Sequence, residues 1–406
     1  MYECGEAEIE AVTRVLRGGR LFRYQTGPRG EPSETMQLEQ EIAKVVGCSH
    51  ALTVTSGTAA LICALVGLGI GPEDEVIVPG YTFMATAMAP LAVGATPVLA
   101  EVDAGLMLDP VDLARKITPR TKAIIPVHMM GHVVDLDPIL AVARKHNVRV
   151  LEDCCQCVGG SYRSLRVGRH GDAGAFSFNY YKNISAGEGG AVMTSDVTIA
   201  DRARIYHDAG ITFRNELNNS PVQSFAGVNY RMDEIRAAFL RVQLTRLDGI
   251  LSALRQRYRR LRELLRATPM AGVEFAPVHD LDGVCGSALF LRTESRGASL
   301  EFLKSAIEHK IPAMLPLDSG KHVYSNWEPL MERRAAHHPA LDPLHATEAG
   351  RRQRYTPDML PQTLDHLART VSIGINHRWT EEDVERIANG IRECAASTAG
   401  ELATKV

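Results

Sequence analysis

Residues 174–190 have the sequence GAFSFNYYKNISAGEGG. The segment begins as a mostly apolar run that carries Ser177, continues to a single lysine, Lys182, and ends in a turn with three glycines. A serine hydroxyl shortly before a lone lysine favours an anion bound close to an amine, which pyridoxal 5′-phosphate (PLP) requires when it is attached as a Schiff base. Because most lysines are solvated and most glycine-rich turns are only turns, this interpretation depends on what the rest of the chain supplies.

Composition restricts the class of protein. The chain has 406 residues, of which 45% are hydrophobic and 23% are charged, so a large core and two domains are expected. The net charge of −3 gives no electrostatic reason to expect binding to nucleic acid or to an anionic membrane. We find no apolar run of ~20 residues, no signal peptide pattern and no disulfide framework among the eight cysteines. We therefore expect a soluble cytoplasmic protein.

Between residues 50 and 200, short apolar segments alternate with helical patterns. We predict strands at 51–55, 75–78, 96–101, 123–127, 148–152, 173–178 and 191–194, and helices at 58–68, 82–93 and 135–146. Continuous apolar strands separated by helices are typical of a parallel sheet that is covered on both faces. In such sheets, polar residues at the carboxyl ends of the strands form the site.

Helices flank this region, and a second unit follows it. We predict helices at 6–17, from Ser33, at 233–266 and at the C-terminal end, where Thr380 caps the last one. Strands are predicted near 287–292 and 370–374, whereas 330–365 gives no firm prediction. Residues 1–245 are thus predicted to form N-terminal helices and a large domain. Residues 246–406 are predicted to form the long connecting helix and a small C-terminal domain.

Two strand-to-helix junctions carry residues suited to a flat, phosphorylated ring. The backbone N–H groups and the hydroxyl of Ser56-Gly57-Thr58 would face a phosphate at a helix N-terminus, although an ordinary helix cap explains them as well. After the next strand, Phe83 or Tyr81 could cover one face of the ring, although a core aromatic is the alternative.

A third junction follows a strand that is apolar apart from Arg149. Glu152 and Asp153 end this strand, and a carboxylate there is costly to bury unless it is paired. A protonated pyridine nitrogen would be a suitable partner for Asp153, and Gln156 could bond to the ring oxygen. A helix cap or a salt bridge to an arginine is the alternative for Asp153.

The cysteines after this strand allow a different interpretation. Cys154, Cys155 and Cys157 could be metal thiolates, together with His128 or His132. Zinc sites more often space paired cysteines two to four residues apart, and adjacent cysteines do not readily converge on one ion. Small buried thiols are therefore the favoured interpretation, and no metal is predicted.

Together these segments resemble the sugar aminotransferases of the DegT/StrS type, a family of fold-type I PLP enzymes. The matching segments are SGTAAL (56–61), PGYTF (79–83), VHMMGH (127–132), EDCCQCVGG (152–160), FSFNYYK (176–182), GEGG (187–190) and GVNYRMDEIRAA (227–238). The resemblance implies an α/β fold with a mostly parallel seven-stranded sheet in the large domain and a smaller C-terminal α+β domain. The cysteines at 154, 155 and 157 depart from the family pattern, in which small residues such as alanine are usual there.

The resemblance also implies a role for each matching residue. It implies that Lys182 is the Schiff-base lysine, that Asp153 is the partner of the pyridine nitrogen and that Gln156 lies near the ring oxygen. It also implies that Phe83 is the stacking ring and that the phosphate ligands are Gly57, Thr58 and Ser177. Asn229 resembles the residue that reaches the phosphate of the neighbouring subunit's cofactor, which implies a homodimer with shared active sites. Family members that are dehydratases carry a histidine in place of the lysine, so the presence of Lys182 favours transamination. The resemblance then implies L-glutamate as the expected amino donor and a keto or aldehydo sugar as the acceptor.

A finer resemblance concerns the acceptor. LFRY (21–24), SNWEPL (325–330) and RWTEEDVERI (378–387) look like the sub-branch of 8-amino-3,8-dideoxy-octulosonate and lincosamide octose aminotransferases. It implies an eight-carbon sugar in natural-product or surface-glycan biosynthesis, with an ordinary nucleotide-linked 3- or 4-ketohexose as the alternative. Arg20, Arg23 and Arg29 could bind a phosphate or carboxylate of the substrate, or could be solvated loop charges. A non-catalytic PLP-binding protein is the alternative from another class.

Overall fold

The structure, a computed structural model, describes residues 3–214, 217 and 220–404. The helices are α1 (Glu6–Gly18), α2 (Glu34–Val46), α3 (Gly57–Gly67), α4 (Ala85–Ala92), α5 (Pro110–Lys116), α6 (Leu136–His146), α7 (Val197–His207), α8 (Glu234–Arg266), α9 (Arg296–Glu308), α10 (Glu328–Met331), α11 (Pro343–Ala346), α12 (Glu348–Arg352), α13 (Pro361–Ala368) and α14 (Glu381–Thr404). The strands are β1 (His50–Val54), β2 (Glu75–Pro79), β3 (Thr96–Ala100), β4 (Thr121–Ile124), β5 (Arg149–Asp153), β6 (Ser161–Tyr162), β7 (Leu165–Arg166), β8 (Ala173–Ser177), β9 (Gly190–Thr194), β10 (Val273–Phe275), β11 (Ala288–Thr293), β12 (Ala313–Met314) and β13 (Thr370–Gly374).

Seven strands form one sheet in the order β1-β9-β8-β5-β4-β2-β3. Every pairing is parallel except those of β9, which runs antiparallel to both β1 and β8. The predicted sheet is therefore confirmed as mostly parallel. Strand β9 is antiparallel because residues 178–189 form turns and not a crossover helix. The chain therefore re-enters the sheet from the same end at which β8 leaves it.

Burial explains why these segments form this sheet. Strands β2, β3 and β8 are buried at every position, as expected for strands that are covered on both faces. Helix α3 has the sequence GTAALICALVG, which lacks a polar face, and it packs between the sheet and helices α4 and α7. The predicted strands and helices of this region are observed with shifted ends, whereas α5 and α7 were not predicted.

The predicted long helix is present as α8, which has 33 residues and a length of about 50 Å. Its N-cap is Asp233, whose carboxylate accepts a hydrogen bond from the backbone N–H of Arg236 (3.0 Å). Leucines 240, 247, 254 and 261 recur every seven residues and are all buried. Helix α8 packs against α1, α2 and α14, so one helix joins the two ends of the chain.

The second sheet is antiparallel, with the order β10-β11-β13-β12. Helices α9 and α14 pack beside it, and Thr380 caps α14 by accepting a hydrogen bond from the backbone N–H of Asp383 (3.2 Å). The strands predicted near 287–292 and 370–374 and the Thr380 cap are thus confirmed. Since α8 passes without a break through residues 245 and 246, the domain boundary there stays a prediction.

Residues 330–365, for which we made no firm prediction, cover the outer edge of the seven-stranded sheet. They contain α11, α12 and the start of α13, and the Tyr355 hydroxyl donates a hydrogen bond to the carbonyl of Pro97 in β3 (2.6 Å). An edge strand covered in this way is protected from pairing with another chain. Among the described helices, none is both long enough and apolar enough to cross a membrane.

Candidate active site

A cavity of about 620 Å³ lies at the carboxyl edge of the seven-stranded sheet. Polar residues reach it from several strand ends, as the parallel-sheet argument predicted, and Ser287 and His322 reach it from the C-terminal part of the chain. Its size suits a small-molecule ligand. The residues predicted from the sequence that line it are Gly57, Thr58, Phe83, Asp153, Gln156, Ser177 and Lys182.

The turn between β1 and α3 is shaped to admit an anion. Ser56 caps α3 by accepting a hydrogen bond from the backbone N–H of Ala59 (3.1 Å). Gly57 has no room for a side chain, because a Cβ would lie 2.8 Å from Ser177 Cβ and 3.0 Å from Cys155 Sγ. The free backbone N–H groups at the start of α3, with the Thr58 and Ser177 hydroxyls beside them, can therefore bind a phosphate.

Asp153, at the end of β5, is 3% exposed. Its two carboxylate oxygens accept hydrogen bonds from the Thr86 hydroxyl (2.8 Å) and from the backbone N–H of Cys155 (3.0 Å). No lysine, arginine or histidine of the described residues forms an ion pair with it. The predicted alternative of a salt bridge to an arginine is therefore not observed. A buried carboxylate with this environment is complementary to a cationic N–H group, such as a protonated pyridine nitrogen.

Gln156 lines the cavity close to Asp153. Its side-chain oxygen accepts a hydrogen bond from the backbone N–H of Met130 (3.3 Å), and Met130 has a positive φ of 50°. Because the oxygen faces this backbone group, the amide nitrogen is the end that can donate to a ligand.

Lys182 is half-buried and lies on the loop between β8 and β9. Its backbone N–H donates to the carbonyl of Asn179 (3.0 Å), while its ammonium group has no hydrogen bond or ion pair within the described part of the chain. The loop folds back on itself, since the Ser185 hydroxyl donates to the carbonyl of Phe178 (3.1 Å). The amine is thus presented to the cavity by an ordered loop.

An aromatic ring stands at the mouth of the cavity. Phe83 is 47% exposed, and its ring centroid lies 5.5 Å from that of His322. Tyr81, the other aromatic candidate, is fully buried and its hydroxyl contacts the sulfur of Met130, so it is the core residue of the two. Burial lowers the pKa of His322, and the nearby charge of Lys182 lowers it further, which favours a neutral imidazole.

Sequence reasoning missed three residues of the site. Thr86 follows Thr82 by one helical turn, and the two hydroxyls lie 2.7 Å apart, so the spacing was a usable signal. Cys155 faces Gly57 and the cavity, whereas we interpreted it from the sequence as a small buried thiol, with a metal ligand as the alternative. His322 gave no signal, because nothing in the pattern around it indicates which part of the fold it meets.

Asn229 does not line the cavity of its own chain. It is exposed, pairs through its backbone with Asp208, and accepts a hydrogen bond on its side-chain oxygen from the backbone N–H of Arg231 (3.2 Å). Arg231 and Tyr230 pair in turn with Val54 and Thr55, directly before the Ser56 turn. Asn229 therefore lies outside the cavity but close to its phosphate-binding end.

The sulfurs of the cysteine cluster do not converge on one point. Cys154 lies near Glu152, Cys155 faces the cavity, and Cys157 lies 3.6 Å from Cys285. Ligand atoms of His128, Glu152 and Cys154 do lie within 4.8 Å of one another, and all three residues are buried.

Hydrogen bonds account for this buried cluster. Glu152 accepts bonds from the backbone N–H groups of Gly168 (2.8 Å), His170 (2.7 Å) and Gly171 (2.9 Å), and its carboxylate lies 3.3 Å from the imidazole of His128. Glu152 thus ties a loop to the end of β5. The imidazole of His132 lies elsewhere, stacked on Phe290.

The order of the seven strands, with a lysine, a buried carboxylate and a helix N-terminus around one cavity, is the arrangement expected of the fold-type I class. A model of the DegT/DnrJ/EryC1/StrS aminotransferase family matches residues 3–392, and the chain belongs to that family. The family predicted from the sequence motifs is thus confirmed, whereas its octose sub-branch remains a prediction.

Curated relatives and a solved structure agree with this assignment. The chain is 42% identical over 253 residues to the spore coat polysaccharide biosynthesis protein SpsC of Bacillus subtilis, covering 61% of this chain and 63% of SpsC. It is 44% identical over 219 residues to GDP-perosamine synthase of Caulobacter vibrioides, covering 54% of this chain and 58% of the synthase. The matched stretch thus spans about three fifths of the length of these relatives. DesI, solved in the presence of its TDP-sugar product, is similar with a TM-score of 0.77 at 27% identity, over 100% of this chain and 93% of DesI.

Proposed function

We propose that this protein is a PLP-dependent aminotransferase that moves an amino group from an amino acid, L-glutamate first among the candidates, to a keto or aldehydo sugar. The observation that carries the proposal is that Lys182 and the buried, ion-pair-free Asp153 line the same cavity as the glycine turn at the start of α3. The names of the relatives, which include a GDP-perosamine synthase, support a sugar as the acceptor.

PLP supplies a carrier that accepts the amino group from the donor and passes it to the acceptor. In this proposal Lys182 would hold the cofactor, and its amine would take up and return the proton at Cα of the donor. Asp153 keeps a proton on the ring nitrogen, and Thr86 holds the Asp153 carboxylate in position through its hydrogen bond.

The remaining lining residues orient the ring. The turn at Gly57 and Thr58, with Ser177, would bind the phosphate, and Phe83 would supply an aromatic contact to the ring. Gln156 donates from its amide nitrogen to the ring oxygen, since its side-chain oxygen already accepts from Met130. These contacts would position the ring relative to the amine of Lys182.

The proposal includes a homodimer whose sites are shared, with Asn229 reaching the cofactor phosphate of the neighbouring subunit. Both an amino acid donor and a nucleotide-linked sugar are anionic, yet among the described residues Lys182 is the one lysine or arginine that lines the cavity. Arg23 is engaged with Glu39 (2.7 Å) and with the carbonyl of Thr53 (3.1 Å), so it is not available as a substrate ligand in this arrangement. A second copy would supply the missing polar groups.

Exposed aromatic residues support such an interface. Phe22 and Phe213 are 41% and 73% exposed, and both lie against the guanidinium of Arg214, which is paired with Asp208. Asp208 is also the backbone partner of Asn229, so the exposed aromatic patch and Asn229 belong to one surface. Contiguous exposed apolar surface of this kind is typical of a protein interface.

For the acceptor, the relatives favour a nucleotide-linked sugar. GDP-perosamine synthase carries a GDP-linked sugar in its name, and DesI was solved with a TDP-sugar product. An eight-carbon sugar, proposed from LFRY, SNWEPL and RWTEEDVERI, is not represented by either protein. We therefore propose a nucleotide-linked ketohexose and an eight-carbon sugar as the two candidates to be tested together.

The test is an acceptor screen with the purified holoenzyme. Glutamate is supplied with GDP- and TDP-linked ketohexoses or with eight-carbon keto and aldehydo sugars, and 2-oxoglutarate and the amino sugar are measured by mass spectrometry. The proposal predicts equal amounts of the two products with at least one acceptor. A holoenzyme that forms neither product with any acceptor, with glutamine and aspartate also tried as donors, would favour the non-catalytic alternative.

A further inference from the structure

Two cysteines that are 128 residues apart in sequence meet in the core. Cys157 follows β5 of the large sheet, and Cys285 precedes β11 of the small sheet. Their sulfur atoms lie 3.6 Å apart, and both residues are 0% exposed. A disulfide bond is about 2.05 Å long, so this is a pair of reduced thiols that must approach by about 1.5 Å to become bonded.

The two thiols have different surroundings. The pKa of Cys285 is lowered although burial raises it, because the hydrogen bond between the two sulfurs and the nearby Arg255, Asn183 and Arg166 stabilise a thiolate there. The same hydrogen bond, together with burial, raises the pKa of Cys157 well above its ordinary value. A thiol that favours the thiolate form beside a protonated thiol is the arrangement of a nucleophile and a resolving cysteine.

Arginine contacts hold this part of the core in place. The Arg255 side chain donates hydrogen bonds to the carbonyls of Val284 (2.8 Å) and Gly159 (3.4 Å), so one guanidinium ties together the segments that carry the two sulfurs. The backbone N–H of Cys285 donates to the carbonyl of Gly131 (2.8 Å). The pair is therefore held by contacts from helix α8 and from the turn at residues 129–131.

The pair also adjoins the wall of the active-site cavity. Asn183 lines the cavity and donates from its amide to the carbonyl of Val158 (3.0 Å), the residue after Cys157. Ser287 and Ala288, which follow Cys285 by two and three residues, line the cavity as well. A small solute in the cavity is thus separated from the sulfurs by Asn183 and Val158.

We propose that Cys157 and Cys285 form an oxidation site, which hydrogen peroxide converts into a disulfide between the segments that carry the two sheets. The Cys285 thiolate attacks one peroxide oxygen, the O–O bond breaks, and the hydroxide that leaves takes up a proton to become water. The Cys157 sulfur then attacks the resulting sulfenic acid, and its proton leaves with the hydroxyl group as a second water. Two thiols are oxidised by two electrons in total, one peroxide is reduced to two waters, and a dithiol reductant reverses the change.

Bond formation pulls residues 157 and 285 together, and with them the cavity wall at Val158 and Ser287. Because displacements of about 1 Å in a catalytic site can reduce rates by about 10²-fold, we expect oxidation to lower turnover at least about tenfold. This rate effect rests on the proposed aminotransferase function. The disulfide itself does not, so its detection by mass remains decisive if aminotransfer is not found.

The test uses the reduced holoenzyme treated with hydrogen peroxide. We expect the count of free thiols in the denatured chain to fall from the eight of the sequence to six, with a mass loss of two hydrogens. A non-reducing digest should contain a peptide that joins residues 157 and 285, and dithiothreitol should restore the eight thiols. Cys157→Ser should leave a sulfenic acid at Cys285 that reacts with dimedone, whereas Cys394→Ser, a buried thiol elsewhere, should leave the link unchanged.

Two results would overturn the proposal. One is a peroxide-treated wild-type chain that keeps all its thiols or is oxidised only at Cys4 or Cys155. The other is a disulfide that joins Cys157 to Cys154 or Cys155 instead of Cys285. Since both are read from the wild-type chain, the outcome does not depend on whether the serine variants fold.

Discussion

Asp153 is the residue whose surroundings say most about the chemistry of the cavity. It is 3% exposed, and its carboxylate accepts hydrogen bonds from the Thr86 hydroxyl and from the backbone N–H of Cys155. A carboxylate in this position remains costly unless a cationic ligand completes its surroundings. The environment of Asp153 therefore points to a ligand with a protonated ring nitrogen.

Replacement of Asp153 by Asn should separate cofactor binding from catalysis. The amide is nearly isosteric, so Asp153→Asn should fold and retain PLP, but it cannot keep the ring nitrogen protonated. We expect single-turnover amino transfer from glutamate to slow on the order of 10²-fold or more. Thr86→Val, which removes one hydrogen bond and leaves the carboxylate, should slow it less. If Asp153→Asn transferred the amino group at the wild-type rate, Asp153 would not have the proposed role at the ring nitrogen.

A substitution at Gly57 tests the proposed role of the turn before α3 in binding phosphate. In Gly57→Ala the added Cβ would lie 2.8 Å from Ser177 Cβ, which should displace Ser177 or the turn and weaken PLP binding about tenfold or more. The measurement is a PLP titration followed by absorbance. Gly249→Ala is the control, since nothing lies within 4 Å of its new Cβ in the middle of α8. Equal PLP affinity in the two variants would contradict the assigned turn.

At the scale of single residues, the sequence predicted which residues belong to the site more readily than which distant residues they contact. Asp153 and Ser177 end neighbouring parallel strands, and Lys182 lies on the loop that follows Ser177, so the convergence of the three residues followed from topology. His322 lies about 140 residues further on in a segment without periodicity, and only packing of the C-terminal part on the large sheet brings it to Phe83. The contact between Cys157 and Cys285 could not be predicted from the sequence for the same reason, since it too depends on the packing of the C-terminal part on the large sheet.

Among the elements, the loop from β8 to β9 shapes the site most. It contains Lys182, and it returns the chain as the antiparallel strand β9. Gly190 begins that strand and passes so close to the Ser56 turn that a Cβ there would overlap with the carbonyl oxygen of Ser56. The sequence marked this region by its glycines, but strand direction depends on the connection and not on the apolar pattern of the strand.

A second element, the turn at residues 129–131, leads to His132, whose imidazole joins the two parts of the chain. It stacks on Phe290 of β11 with ring centroids 4.3 Å apart and lies 3.0 Å from the carbonyl oxygen of Ala288. Burial lowers the pKa of His132 to about 4. Its ordinary pKa in an unfolded chain is about 6.5, so the unfolded state binds the proton first as the pH falls.

Acidification should therefore destabilise the fold through His132. Between pH 7 and pH 5 this one group should lower the free energy of unfolding by on the order of 2 kcal/mol, because its folded pKa lies below its unfolded pKa. Urea unfolding at a series of pH values measures the slope. In His132→Phe, which keeps a ring beside Phe290, the slope should be shallower. An unchanged slope would show that His132 does not carry this dependence.

At the scale of the whole molecule, the proposed homodimer would place residues of a second chain beside each cavity. The cavity is bounded by both sheets, but Asn229 and the exposed aromatic residues Phe22 and Phe213 lie outside it on a surface that has no partner in one chain. A second copy docked on this surface would bring Asn229 toward the neighbouring cavity. The sequence could indicate this only through the family resemblance, because no pattern within one chain specifies a contact with another.

Mixing two inactive variants tests whether sites are shared. Lys182→Ala and Asn229→Ala should each be impaired as homodimers. In a heterodimer one site would combine the intact Lys182 of one chain with the intact Asn229 of the other, so equal mixing should restore about a quarter of wild-type activity. Subunit exchange is confirmed by mass. No rescue after complete exchange would mean that each chain uses its own Asn229 or none.

The most direct measurement of the central claim is the behaviour of Lys182→Ala beside the wild-type protein. We predict that the wild-type holoenzyme has a visible absorption band from bound PLP and forms 2-oxoglutarate from glutamate in the presence of an accepted sugar. In Lys182→Ala the band should be lost or shifted, and product formation should fall to background while circular dichroism shows an intact fold. A folded Lys182→Ala protein that still turned over glutamate and sugar at the wild-type rate would contradict the account.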